Sequence, residues 1–136
     1  MILLDTNVVV AVINRRSAVV EAKFRKHLLA GDEIALSSVV VFELDYGIAR
    51  SARKQENMRA LSRFLEVIGG VVDFDAEDAA AAGAMRAALA AAGTLIGPYD
   101  VMIAGQALRR GATLVTANTR EFSRIAGLKL EDWTAG

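Results

Sequence analysis

The stretch Ile2-Leu3-Leu4, met at once by Asp5-Thr6-Asn7, constrains this chain more than any other. Three apolar residues without alternation, closed by a polar turn, describe a short strand buried on both faces, as in parallel sheets covered by helices on either side. In such sheets ligands gather where strands end. Asp5 is therefore placed for chemistry, although Asp5 and Asn7 would serve equally as a turn or as the cap of the next helix.

The same arrangement recurs along the chain. Val8 to Ile13 has strand propensity, because β-branched side chains lose rotamer freedom in helices. A strand reaching Ile13 would have to run through Asp-Thr-Asn, however, so strand, turn and buried helix is the reading adopted. Ser17 to Ala30 is an amphipathic helix with Val20, Phe24, Leu28 and Leu29 on one face, ended by Gly31-Asp32. Ile34 to Leu36 is a second strand, and Ser37-Ser38 caps a helix running to about Ala52. On that helix Val40, Glu43 and Gly47 share a face, so Glu43 lies on an inward stripe and needs a partner, Arg50 being one candidate. Asp45 projects to the other side. Gln55 to Ile68 is a helix, Gly69-Gly70 a turn and Val71 to Phe74 a third strand. Asp73 and Asp75 resemble a metal-binding pair, but Asp75 is a good N-cap for the alanine-rich stretch to Ala92, which is a structural or interface helix. Gly97-Pro98-Tyr99-Asp100 opens the next helix with proline at its first position, and Asp100 in its first turn is either a dipole-complementing acid or a metal ligand. Ala112 to Thr116 is a fourth strand, Ala117 to Phe122 a turn and short helix, and Gly127 to Trp133 allows an edge strand.

Strand and helix alternate throughout, the pattern of a parallel sheet with helices on both faces, and 136 residues suit one domain. Composition narrows the chemistry. No apolar run approaches the ~18 residues that span a membrane, and the N-terminus lacks a secretory leader's basic lead-in and cleavage site. With no cysteine there are no disulfides, thiolate zinc sites or cysteine nucleophiles, which fits the cytoplasm. The one histidine, His27, sits in a basic helix surface, so multi-histidine metal sites are excluded and a Ser-His-Asp triad is improbable. Carboxylates are left to carry any catalysis. Net charge is zero, yet Arg50, Arg53, Lys54, Arg59 and Arg63 face the single acid Glu56 between positions 50 and 63. That stretch is a solvated helix face unless a polyanion binds.

Asp5, Glu43, Asp100 and Asn118 each fall at a strand end or early in the following helix, so this fold can gather them at one edge of the sheet. Three carboxylates in contact repel unless a cation sits among them, and oxygen-only ligands suit Mg²⁺ or Mn²⁺. Such a cluster is equipment for phosphodiester hydrolysis. Arg50, Arg53 and Lys54 then become candidate RNA contacts.

The motifs Leu4-Asp5-Thr6-Asn7, Phe42-Glu43-Leu44-Asp45-Tyr46-Gly47, Ile96 to Ala104, Val115 to Phe122 and Glu131-Asp132-Trp133 follow one another in an order and spacing that resembles the PIN-domain family. Within it, the chain looks like VapC-type toxins of toxin–antitoxin pairs. The resemblance covers nearly the whole length. It implies a single domain over residues 1–136, an α/β three-layer sandwich with a parallel sheet of four to five strands. By the same resemblance Asp5, Glu43 and Asp100 hold metal, with Thr6 and Thr116 as supporting hydroxyls. Many family members have an aspartate where this chain has Asn118, and an amide adds no charge to a second metal site. Glu121, one turn onward, is either a substitute ligand or an exposed partner of Arg120 or Arg124. The implied activity is Mg²⁺- or Mn²⁺-dependent endoribonuclease cleavage of structured RNA such as tRNA, inhibiting translation. The implied partners are a VapB-type antitoxin that can insert a basic side chain into the acidic pocket, a second copy in a homodimer and higher assembly, and promoter DNA through the antitoxin only.

The rival reading is a catalytically silent PIN module that binds RNA or protein, and the three retained acids argue against it. Asp5-Thr6-Asn7 lacks the second acid of a DxD phosphatase signature, and no GxxxxGK[ST] occurs to hold a nucleotide.

Overall fold

Leu3 and Leu4 are fully buried because their strand lies at the centre of the sheet. The computed structural model of the protein describes residues 1–134. Its strands are β1 (Ile2–Leu4), β2 (Ile34–Ser37), β3 (Val71–Val72), β4 (Thr113–Val115) and β5 (Lys129–Glu131). Its helices are α1 (Thr6–Ile13), α2 (Ala18–Leu29), α3 (Ser38–Arg50), α4 (Lys54–Val67), α5 (Ala76–Ala91), α6 (Pro98–Arg109) and α7 (Thr119–Phe122). All strand pairs are parallel, in the order β3-β2-β1-β4-β5, and helices pack against the sheet. The five-stranded α/β architecture is the one expected from the alternation of elements.

Local chemistry explains where the elements break. Asp5 is extended and its carboxylate accepts the Thr6 N–H at 2.8 Å, which turns the chain from β1 into α1. Val8 and Val9 of α1 are buried. Burying a valine is worth about 1.5–3 kcal/mol, several times its small helix-propensity penalty, so the helix forms against propensity. Ser17 and Ser37 cap α2 and α3 by accepting the N–H groups of Val20 and Val39. Asp75 and Asp78 form a reciprocal capping box at the start of α5. The small residues of α5 allow a close approach to α6: a Cβ on Gly105 would lie 2.6 Å from the Ala82 Cα.

Three expectations need correction. Strand β3 stops at Val72 instead of Phe74. The Phe74 N–H donates to the Ser38 hydroxyl, and the Asp73 carbonyl accepts from Gln106 and Arg110, so side chains take the backbone groups a longer strand would pair. Leu29, expected on the inward face of α2, is 82% exposed. Val20 and Phe24 point to the core and Leu28 is half-buried, whereas Leu29 in the last turn is rotated away from them. His27 is more than a surface residue: its ring stacks on Trp133 at 5.1 Å, fastening the segment after β5 to α2, and its Nδ1 lies 2.7 Å from Asp32 in the turn that follows α2.

The acidic run at the start of α5 does more than cap. Asp78 is fully buried and accepts from Gln106 at 3.0 Å, Arg109 at 2.8 Å and Arg110 at 3.0 Å. Burial alone would raise its pKa, but the hydrogen bonds from Arg110, the Asp75 backbone, Arg109 and Gln106 hold it well below the usual carboxylate range. This network ties the start of α5 to the end of α6, the helix that carries Asp100.

Candidate active site

Asp5 lies at the C-terminal end of β1, where the edge of a parallel sheet opens. Its two carboxylate oxygens are held separately: Oδ1 accepts the Thr6 N–H and Oδ2 accepts the Thr116 hydroxyl, both at 2.8 Å. Thr116 follows β4 directly and is fully buried, and its oxygen also accepts the Asn118 N–H at 3.0 Å. Two fixed donors lock the rotamer of Asp5, so its remaining lone pairs have a set direction.

Thr6, the first residue of α1, donates its hydroxyl to Glu43 Oε1 at 3.0 Å. Glu43 therefore meets Thr6 and not Arg50. Arg50 lies over the Tyr46 ring, 5.2 Å from its centroid, and donates to the Tyr46 hydroxyl at 3.2 Å. Burial raises the pKa of Glu43, the Thr6 hydrogen bond works against that shift, and the charge of Asp5 adds to it. Asp100 stands in the first turn of α6, as proline at N1 and Gly97 at the N-cap position it. Its pKa is pushed up to about 6, first by burial and then by the charges of Asp5, Glu43 and Glu121. Asp5, Glu43 and Asp100 are thus electrostatic neighbours although 95 positions separate the first from the last (100 − 5).

Asn118 and Glu121 take positions the sequence left open. Asn118 is exposed, and its amide donates to Glu121 Oε2 at 3.0 Å. Glu121 accepts this amide and its charge still reaches Asp100, and Arg124 instead donates to the Leu95 carbonyl at 3.2 Å. The spacing of three between Asn118 and Glu121 on one helical turn was the available signal for the pair. Sequence reasoning also missed Phe42 and Tyr99, whose exposed rings meet at 5.4 Å beside Glu43 and Asp100. Of the candidate RNA contacts, Arg53 pairs with Glu56 at 3.6 Å on an exposed face, and Lys54 is exposed at the start of α4.

A hard divalent cation suits this donor set. The acids offer oxygen only, and beyond the effect of burial the charge of Asp5 raises the pKa of both Glu43 and Asp100, a repulsion that a cation relieves. Among the described residues no three acids are drawn together closely enough to enclose an ion. Asp5 is the rigid member because both its oxygens are already engaged.

Comparison with known proteins places the fold and the motifs in a family. Residues 2–128 match the PIN domain. The chain is 41% identical over 132 residues, 97% of each protein, to the tRNA(fMet)-specific endonuclease VapC of Shigella flexneri. Among solved structures it superimposes with a TM-score of 0.90 and 37% identity on a chain of VapBC2 from Rickettsia felis, bound to a DNA fragment from their promoter. That match covers 98% of this chain and 99% of the other. DNA-bound VapBC from Salmonella typhimurium gives 0.88 at 37% identity, with 97% of each chain covered. The motif order read from the sequence, the sheet it builds and these likenesses agree, and the chain belongs to the PIN-domain family, among the VapC proteins.

Proposed function

We propose that this chain is a metal-dependent endoribonuclease toxin that cleaves structured RNA such as tRNA, acts in the cytoplasm to inhibit translation, and is neutralised by a VapB-type antitoxin. The observation that carries the reading is the gathering of Asp5 and Glu43 through Thr6 and Thr116 at the open end of the sheet, with the Asp100 carboxylate close enough to feel both charges. The 41% identity to an endonuclease named for tRNA supports the substrate class, and the likeness to VapBC complexes supports the partner.

Asp5, Glu43 and Asp100 are the residues that would hold Mg²⁺ or Mn²⁺, with Thr6 and Thr116 fixing Glu43 and Asp5. When bound, such an ion lowers the pKa of a water and offsets charge that builds on the phosphodiester. The protein's own part is orientation. Thr116 and the Thr6 N–H hold Asp5 in place by donating to both of its oxygens. Asp100, pushed up to about 6 by burial and by the charges of Asp5, Glu43 and Glu121, is the acid whose ionised form a bound cation would favour most. Glu121, oriented by Asn118, adds negative charge on the α7 side and would compensate for the amide at position 118.

The test is cleavage of a total tRNA pool by the purified protein with Mg²⁺, Mn²⁺ or EDTA, beside an Asp5→Asn variant shown to be folded. Discrete fragments that require metal and vanish in the variant support the reading. A protein that binds neither metal nor alters the pool is a silent binding module instead.

A further inference from the structure

The motif Glu131-Asp132-Trp133 lies at the end of β5 and just after it, and its three side chains have different tasks. The Asp132 carboxylate accepts the N–H and the hydroxyl of Thr134, a local turn contact. Trp133 is buried, its ring stacked on His27 and 6.5 Å from that of Phe24, both on α2. Its indole N–H donates to Glu131 Oε1 at 3.0 Å, and His27 Nε2 lies 3.4 Å from the same oxygen. The Glu131 side chain is thereby tied to two stacked rings that rest on α2.

The backbone of Glu131 has another partner. β5 is an edge strand of three residues that pairs only with β4, and its ladder ends where Val115 meets Glu131. Just beyond, the Glu131 carbonyl accepts the Thr116 N–H at 3.0 Å. Thr116 in turn donates its hydroxyl to Asp5 Oδ2. An edge strand this short is held from one side and frays readily. Fraying from its last residue would take the acceptor from the N–H of the buried Thr116, and a loosened Thr116 would no longer fix the Asp5 carboxylate. At 43% exposure the Glu131 side chain adds little to the core, so its value lies in what it anchors.

We infer that Glu131 is a positioning residue for the candidate active site: Trp133 and His27 hold its side chain, its carbonyl fixes Thr116, and Thr116 orients Asp5. The effect on RNA rests on the nuclease reading above, whereas the tether is a property of the folded chain alone. Part of the site's rigidity then comes from α2, a helix that supplies none of the clustered acids.

The test uses the full chain and its Glu131→Ala and Glu131→Gln variants, each made with and without Thr116→Val. Glutamine keeps an oxygen for the indole N–H, and alanine removes it. The chain has one tryptophan, so a single indole N–H resonance reports the tether. Circular dichroism confirms folding, amide hydrogen exchange reads residue 116, and tRNA cleavage gives kcat and KM on the same preparations. Glu131→Ala should shift the indole resonance, speed exchange at the residue-116 amide at least tenfold, and lower kcat at least tenfold with KM within threefold of the parent. Glu131→Gln should stay within threefold of the parent in exchange and in kcat. With Thr116→Val already in place, Glu131→Ala should change kcat less than twofold, because the hydroxyl through which it acts is gone. Parent-like exchange or parent-like kcat in a folded Glu131→Ala variant overturns the inference. So does an equal loss of kcat with and without Thr116→Val, which would make Glu131 a general support of the fold. Where Glu131→Ala fails to fold, Trp133→Phe, which keeps a ring beside His27 and removes the indole N–H, takes its place under the same criteria for exchange and kcat. If the parent chain cleaves no RNA, the nuclease reading fails, and exchange at residue 116 still decides whether Glu131 fixes Thr116.

Discussion

Thr116, directly after β4, donates its hydroxyl to Oδ2 of Asp5 at the end of β1, and the two residues are buried together 111 positions apart in the chain. This contact fixes the orientation of the candidate metal-holding acid that has the least freedom to move. Thr116→Val keeps the shape and removes the donor, leaving a buried carboxylate oxygen without its partner. We expect a stability loss of about 1–3 kcal/mol and a larger proportional loss of RNA cleavage, with Thr116→Ser retaining most of both. Thermal unfolding and cleavage rates on the three proteins check this, and a Thr116→Val protein as active as the parent would sink the idea that this hydroxyl orients Asp5.

Asp100 gives a pH-dependent prediction. Its pKa is raised from 3.8 to about 6 by burial and then by Asp5, Glu43 and Glu121, so the folded chain binds a proton there more tightly than the unfolded chain. Between about pH 4 and pH 6 this group makes stability fall as pH rises. Asp100→Asn removes the effect. In the presence of EDTA the variant should match the parent below about pH 4 and exceed it at pH 7.5, by up to about 3 kcal/mol. Urea unfolding across that range is the measurement, and a gap of constant size at every pH would contradict the assignment.

Asp78 predicts the opposite slope. Arg110, Arg109 and Gln106 hold it ionised, well below its ordinary range, so its contribution is complete above about pH 4 and is lost as pH falls further. Replacing it by alanine leaves Arg109, Arg110 and Gln106 without their shared acceptor and should destabilise the fold by about 3–5 kcal/mol at neutral pH. The difference between parent and variant should shrink in acid. Because α6 also carries Asp100, RNA cleavage should fall with the loss of folded protein.

Arg50, Arg53 and Lys54 lie on an exposed surface between α3 and α4. If they meet phosphates, changing each to glutamine should weaken RNA binding similarly for all sequences and reduce the salt slope by about one per contact. Melting temperature should hardly move, because an exposed pair such as Arg53 with Glu56 contributes about 0–1 kcal/mol. Binding isotherms at several salt concentrations decide the matter, and an unchanged slope for the triple variant removes these residues from the RNA surface.

The sequence was readable where local chemistry sets the outcome. Asp5, Ser17, Ser37 and Asp75 cap the helices that follow them, and Pro98 starts α6. The helix at Val8–Val9 was legible only because Asp-Thr-Asn interrupts the apolar run, since the valines alone favour a strand. What escaped depends on partners distant in the chain. Asp78 looks like one more helix-start acid until Gln106, Arg109 and Arg110 are brought against it from α6. Glu43 looks ready for Arg50 on the next turns, but the Tyr46 ring takes the guanidinium and Thr6 of α1 takes the carboxylate. Asn118 was read as a weakened ligand, and the structure turns its amide to Glu121. Spacing within a helix reveals such local pairs, whereas contacts between helices depend on packing geometry that spacing does not encode.

The strand order has a consequence for synthesis. The strand made first lies between β2 and β4, and the Asp5 N–H donates to the Val115 carbonyl. Asp5 therefore cannot reach its final setting until the segment through Thr116 has left the ribosome. A growing chain carries its first acid more than a hundred residues before the strand that orients it, so a shorter nascent chain holds the carboxylate but no finished cutting site.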